Sequence, residues 1–206
     1  MDQRKKSALS VDFLVLMSTT LTLPPSTTVG DLVALVGVGG SGSTGSLAIS
    51  VGSWTLFGNG DSFNTPEYAW ALATQAMIDA SKAGTLTVTG FATFPATVLV
   101  FKRAVSFGYG GSIHGANSPV LTLPGFTKQP RSGLLVAQNH HINNNATGPL
   151  TAPPFMTPVH YTQYSTTATQ GVWIAPPDLY TSGAPMSFDG HVPNAWNNAS
   201  CWEVIV

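Results

Sequence analysis

Charge is what this sequence has least of. Lys and Arg number 8 and Asp and Glu 9 in 206 residues, 8% of the chain, and the formal net charge is −1. Soluble domains average roughly 25% charged residues. A nucleic-acid binder needs a cationic stripe to neutralise phosphates, and this chain has none. Three of its eight basic residues, Arg4, Lys5 and Lys6, crowd into the first six positions. A coiled coil or salt-bridged surface helix needs Glu and Lys in number, which excludes that class. Disorder needs low hydrophobicity with high net charge, and 43% of these residues are hydrophobic. Cysteine is nearly absent too. With Cys201 alone, no intrachain disulfide is possible, and the chain is long enough to build its core without one. Long apolar runs are also missing. The uncharged stretch 132–177 is rich in Asn, Thr, Pro and Gly, unlike the continuous apolar segment of about 20 residues that a bilayer requires. The start, with Arg4-Lys5-Lys6 before an apolar segment, has the outline of a secretory leader. Asp12 interrupts that segment and no small-residue cleavage pattern follows, so it reads as a tail running into a first strand.

Ser and Thr take the place of charge: 19 Ser and 24 Thr. Thr, Val, Phe, Tyr and Trp occur in short runs separated by Gly, Pro, Asn and Ser, which is β patterning. Strands are expected at 12–17, 19–23, 31–38, 46–57, 67–74, 84–89 and 96–103, then at 119–123, 133–139, 157–164, 170–175, 185–188 and 200–206. Trp54 to Phe57 and Tyr68 to Leu72 flank Asn59-Gly60, a dipeptide suited to a tight hairpin turn. A short helix is expected near 74–83, where Ala73, Ala76, Met77 and Ala80 supply an apolar face and Gly84 a stop.

The sequence also echoes itself. Leu21-Thr22-Leu23-Pro24 returns as Leu121-Thr122-Leu123-Pro124. Gly30 to Val36 is echoed by Ser132 to Ala137, Tyr68 to Ala73 by Gly171 to Ala175, and Leu86 to Gly90 by Met186 to Gly190. The order is kept and the offset stays near 100. The expected fold is therefore all-β, an antiparallel β-sandwich of jelly-roll type built from two related halves. Residues 1–18 would form a tail and first strand, with Arg4, Lys5 and Lys6 as a candidate anchor. Residues 19–206 would form one sandwich of two pseudo-repeats, about 19–103 and 119–206, joined through 104–119.

These packing motifs, from Leu21-Thr22-Leu23-Pro24 through Val29 to Ala34, Trp54-Thr55-Leu56, Tyr68-Ala69-Trp70 and Thr85 to Thr89, resemble a family of β-sandwich virion structural proteins of tailed bacteriophages and related particles. Leu121 to Pro124 and Gly133 to Ala137 extend the resemblance over roughly 19–206. It implies a capsid or tail decoration, cement or spike subunit at the virion surface, made in the host cytoplasm without a signal peptide. Its partners would be copies of itself, with a trimer as one candidate state, and other virion proteins. The resemblance carries over no catalytic residue.

Motifs for chemistry are sparse. Gly37 to Gly45 is glycine-rich, but a phosphate loop needs Lys before Ser or Thr and a helix after it. Gly40-Ser41-Gly42-Ser43-Thr44 does not fit the G-x-S-x-G of a nucleophile elbow, and position 44 is Thr. The nine acids are scattered, with no spacing that pairs two for glycoside hydrolysis. His140 and His141 are adjacent, an arrangement unlike structural zinc spacing. Neither enzyme, cofactor nor metal is expected. The loops around Tyr109, His140-His141, Asn143-Asn144-Asn145 and His191 to Trp196, including Asn194, combine Asn with aromatics. Amides that donate and accept, beside rings that stack on sugars, suit partner or host-surface glycan contacts. A lectin-like adsorption module is thus the alternative function, and an enzyme with a dispersed hydrolytic site a remote third.

Overall fold

In the computed structural model the described residues are 9–38, 47–58, 66–90, 96–116, 118–142, 149–165, 168–190 and 196–206. The strands are β1 (Val11–Leu16), β2 (Leu32–Val38), β3 (Ala48–Ile49), β4 (Thr55–Gly58), β5 (Pro66–Leu72), β6 (Val88–Thr89) and β7 (Ala96–Phe101). They continue with β8 (Ser106–Ala116), β9 (Leu121–Leu123), β10 (Ser132–Ile142), β11 (Thr157–Ser165), β12 (Ala168–Ala175), β13 (Met186–Phe188) and β14 (Trp196–Ile205). A helix, α1 (Gln75–Lys82), and a 3-10 turn, Pro177–Leu179, complete the described elements. Among the described residues no helix is long and apolar enough to cross a membrane.

The chain is an all-β, antiparallel sandwich. One five-stranded sheet has the order β1-β7-β2-β5-β4 and the other β8-β14-β10-β12-β11. Each takes all its strands from one half of the chain, whereas a jelly roll interleaves its strands by Greek-key connections. Counted along each half, the two sheets have the same strand order. The small outer layers also correspond. Thr20 bridges Thr87 and β3 pairs β6 in the first half. In the second half β9 pairs β13 and Thr151 bridges Asp189.

Both large sheets are covered on both faces, which explains their composition. In β2, Val33 and Leu35 enter a core with Leu21, Leu23, Met77 and Leu86. Their neighbours Leu32, Ala34 and Val36 face the other sheet, in a core shared with Leu134, Val136, Val172 and Val204. A third core joins Leu135, Ala137 and Trp173 to Leu121, Leu123 and Phe188. Because side chains alternate between faces, a strand buried on both sides is apolar at nearly every position. All six residues of β7 are buried for this reason.

Local chemistry sets the remaining elements. Thr74 Oγ1 accepts from Met77 N at 3.2 Å and caps α1, whose Met77 and Ile78 are buried. Gly84, with φ +69°, ends the helix in a conformation that side chains disfavour. The expected hairpin forms between β4 and β5, with Thr55 opposite Trp70; its Asn59-Gly60 turn lies outside the described residues. Three expectations change. Residues 104–119, read as a connector, are largely the 11-residue strand β8. Strand β1, read together with the tail, pairs along its full length with β7. The single strand expected at 46–57 is two short ones, β3 and β4, separated by a turn through Gly52.

Candidate functional site

Chemistry-bearing side chains gather in a polar seam between the two large sheets. Its frame is a pair of rungs on the inner face of the second sheet. One crosses β12, β10 and β14 as Val172, Gln138 and Ser200; the next crosses as Gln170, His140 and Asn198. Gln138, His140, Gln170, Asn198 and Ser200 are all buried. Asn198 Nδ2 lies 2.7 Å from His140 Nε2. Gln138 Nε2 donates to Gly37 O of the first sheet at 3.4 Å. From the same sheet Tyr68 Oη pairs with Ser200 Oγ, and the Tyr68 ring meets Trp202 edge-on at 5.0 Å. Burial pushes the Tyr68 phenol above its ordinary range of 10, so it stays protonated and available for hydrogen bonding.

The seam is not symmetric between the halves. The rung Tyr68–Val36–Thr97 of the first sheet corresponds by register to Val172–Gln138–Ser200 of the second. Tyr68 binds Ser200 across the seam, so the reciprocal pair is Val172 and Thr97. Valine has no polar group, and the buried Thr97 Oγ1 has no hydrogen-bond partner among the described residues. Ser200→Ala, which removes a partner of Tyr68, should cost about 1–2 kcal/mol, whereas Thr97→Val should be neutral or stabilising. Urea unfolding of the two variants checks the sign; a larger loss for Thr97→Val would refute this account of the seam.

Carboxylates serve as fastenings. Two equivalent turns carry a backbone bond at 3.1 Å, Asp31 N to Thr28 O and Ser132 N to Gln129 O. The first amide of each turn finds a carboxylate. Thr28 N donates to Asp31 Oδ2 at 2.7 Å, and Gln129 N to Glu203 Oε1 at 2.9 Å. Lys102 Nζ pairs with Asp31 and also donates to Ser26 O. Cys201 is fully buried, and burial together with the nearby Glu203 charge pushes its thiol upward. A thiol held protonated and out of solvent is unreactive. DTNB should therefore label native protein at least about 100-fold more slowly than urea-unfolded protein. Rapid stoichiometric labelling of the native chain would contradict the burial of Cys201. His160, near the Phe13 ring at 6.2 Å, is held below its usual value by desolvation.

The residues singled out from sequence are dispersed. His140, expected at a loop surface, lies on β10 with 0% exposure, a position that gives a glycan no access. His141 also lies on β10, opposite Thr169 and Asn197. Trp196 begins β14 opposite Ile142, and Tyr109 lies on β8. Asn143, Asn144, Asn145, His191, Asn194, Arg4, Lys5 and Lys6 lie outside the described residues. Among the described residues no group of three His, Cys, Asp or Glu side chains could hold a metal ion. Sequence reasoning missed Tyr68, Gln138, Gln170, Asn198 and Ser200. The available signal was polar residues at alternate positions, 138 and 140, then 198 and 200, continuing apolar strands. Comparisons with family models, with curated proteins and with solved structures find no match to this chain.

Proposed function

We propose that this chain is a non-enzymatic structural protein of a bacteriophage or phage-like particle, a decoration, cement or spike subunit on capsid or tail. It acts through protein–protein contacts, including contacts with copies of itself. The observation that carries this reading is where the reactive groups go. Asp31, Glu203, Tyr68, Ser200 and His140 each hold one part of the fold to another, and Cys201 is sealed in the core. A polar surface built from Ser and Thr supports the same reading, because few ions need desolvation when such a surface is covered. The common strand order of the two halves supports their origin by duplication, a route to a two-sided building block. The test is a cryo-EM map or mass spectrum of particles from the producing cell. Stoichiometric presence of the chain at a defined particle site is expected. Its absence from purified particles, with the protein free in the lysate, would overturn the proposal.

A further inference from the structure

Among the described residues each large sheet ends in two unpaired edge strands, and three of the four are blunted in ways that discourage strand addition. Strand β4 is four residues long and ends in Gly58. Strand β11 contains Pro158 and two register shifts. Strand β8 contains Gly108, Gly110 and Gly111, and its pairing with β14 shifts register twice. The remaining edge, β1, differs from all three. It pairs with β7 through six consecutive residues without a shift. Its sequence, Val-Asp-Phe-Leu-Val-Leu, is apolar apart from Asp12, whose carboxylate is engaged by Ser26 Oγ. Phe13 is 42% exposed, and an open groove lined by residues 11–14 of the strand and by residues 24–26, with Asp12 and Ser26 as its polar members, runs beside it.

Backbone polarity shows which groups the edge offers. Lys102 N donates to Ser10 O, so even-numbered residues of this strand direct their amides and carbonyls toward β7. Val11, Phe13 and Val15 therefore present theirs outward. We propose that β1 pairs antiparallel with β1 of a second copy about a twofold axis at Phe13, joining two five-stranded sheets into one of ten strands. In that register Val11 faces the second Val15 and Phe13 faces its own counterpart, so each outward residue meets an outward residue. Asp12 faces Leu14 of the other chain, so the two Asp12 side chains are not directly opposite but lie on a diagonal about 7–8 Å apart, each with its own Ser26 as partner. This matching of outward hydrogen-bonding groups and aromatics under a single register, with no two charges directly opposite, is what selects a second copy as the occupant. The inference rests on the reading of the chain as a self-assembling structural protein and names the surface it uses.

The full-length protein tests it in solution. Light scattering at high micromolar concentration should give twice the chain mass. Val15→Pro removes an outward N–H while sparing the β7 ladder, and should restore the monomer. In parallel, Phe13→Cys and Met17→Cys are treated with a short bismaleimide. The two thiols introduced at position 13 would be directly opposite, whereas those at position 17 would lie roughly 27 Å apart, eight residues along the strand. Phe13→Cys should form a covalent dimer at least tenfold faster, even though Met17 is the more exposed at 76%. A monomeric wild type, or equal cross-linking at both positions, overturns the edge pairing and leaves the particle experiment to judge the broader reading. An oligomer unaffected by a folded Val15→Pro also overturns it, because another surface is then responsible. Should Val15→Pro fail to fold, the comparison of the two cysteine variants decides alone.

Discussion

Gly110→Ala is expected to abolish soluble folded protein, although it adds a single methyl group. A Cβ at Gly110 would sit 1.8 Å from Cys201 O, 2.8 Å from Cys201 C and 2.8 Å from Trp202 Cα. All three are backbone atoms of β14, which lies between β8 and β10 in the second sheet. No side chain can rotate away to relieve the overlap. The strands must part, and with them the pairing of Gly110 with Trp202 and of Gly111 with Cys201. A loss above about 4 kcal/mol is expected, in the range reserved for backbone or core disruption. Gly111→Ala is the matched control, since its Cβ meets only Pro124 O at 3.8 Å. Soluble yield and thermal melting by circular dichroism compare the two. A Gly110→Ala protein melting within a few degrees of wild type would show that β8 and β14 do not approach as described.

The same glycines explain why β8 is hard to read from composition. Gly108, Gly110 and Gly111 have low strand propensity, and a stretch of Gly and Ser resembles a connector. The strand exists because β14 supplies a complete backbone partner, which no local pattern reports. His140-His141 and Asn197-Asn198 mislead in the same way. Asn and His favour turns locally, yet here they extend β10 and β14 by pairing with one another across 58 residues. By contrast, β2, β5 and β7 are readable because their apolar runs reflect burial on two faces. Helix α1 is readable because its cap, its buried Met77 and its stop at Gly84 lie within one short segment. The seam is the least readable part, since Tyr68 and Ser200 are 132 residues apart and neither carries a motif.

Burial on two faces also decides how stability is divided. Each half has its own core behind its sheet, and a third core lies between the sheets. The shared core is apolar toward Leu32, Phe101 and Leu134 and polar toward His140, Gln170 and Asn198. Apolar contact supplies most of the adhesion. The polar rungs restrict how the sheets can slide, since a shift would separate Tyr68 from Ser200 and Gln138 from Gly37.

Phe101→Ala tests the apolar end of that adhesion. Phe101 is fully buried on β7, opposite Leu32 of β2, and its ring meets Phe107 edge-on at 5.7 Å. Truncation removes the aromatic pair and opens a cavity between two sheets that their own cores hold rigid, so little collapse can fill it. The expected cost is about 3–5 kcal/mol, equivalent to a fall of roughly 10 °C in melting temperature for a chain of this size. Because the lost contacts join the halves, the cooperativity of unfolding should fall too. Urea unfolding should change from one transition to two overlapping ones when followed by tryptophan fluorescence and by far-ultraviolet circular dichroism. Leu21→Ala, inside the first half's own core, should lower the midpoint while keeping the two probes coincident. A Phe101→Ala protein that unfolds at the wild-type midpoint in one transition would refute the shared core as the bond between the two sheets.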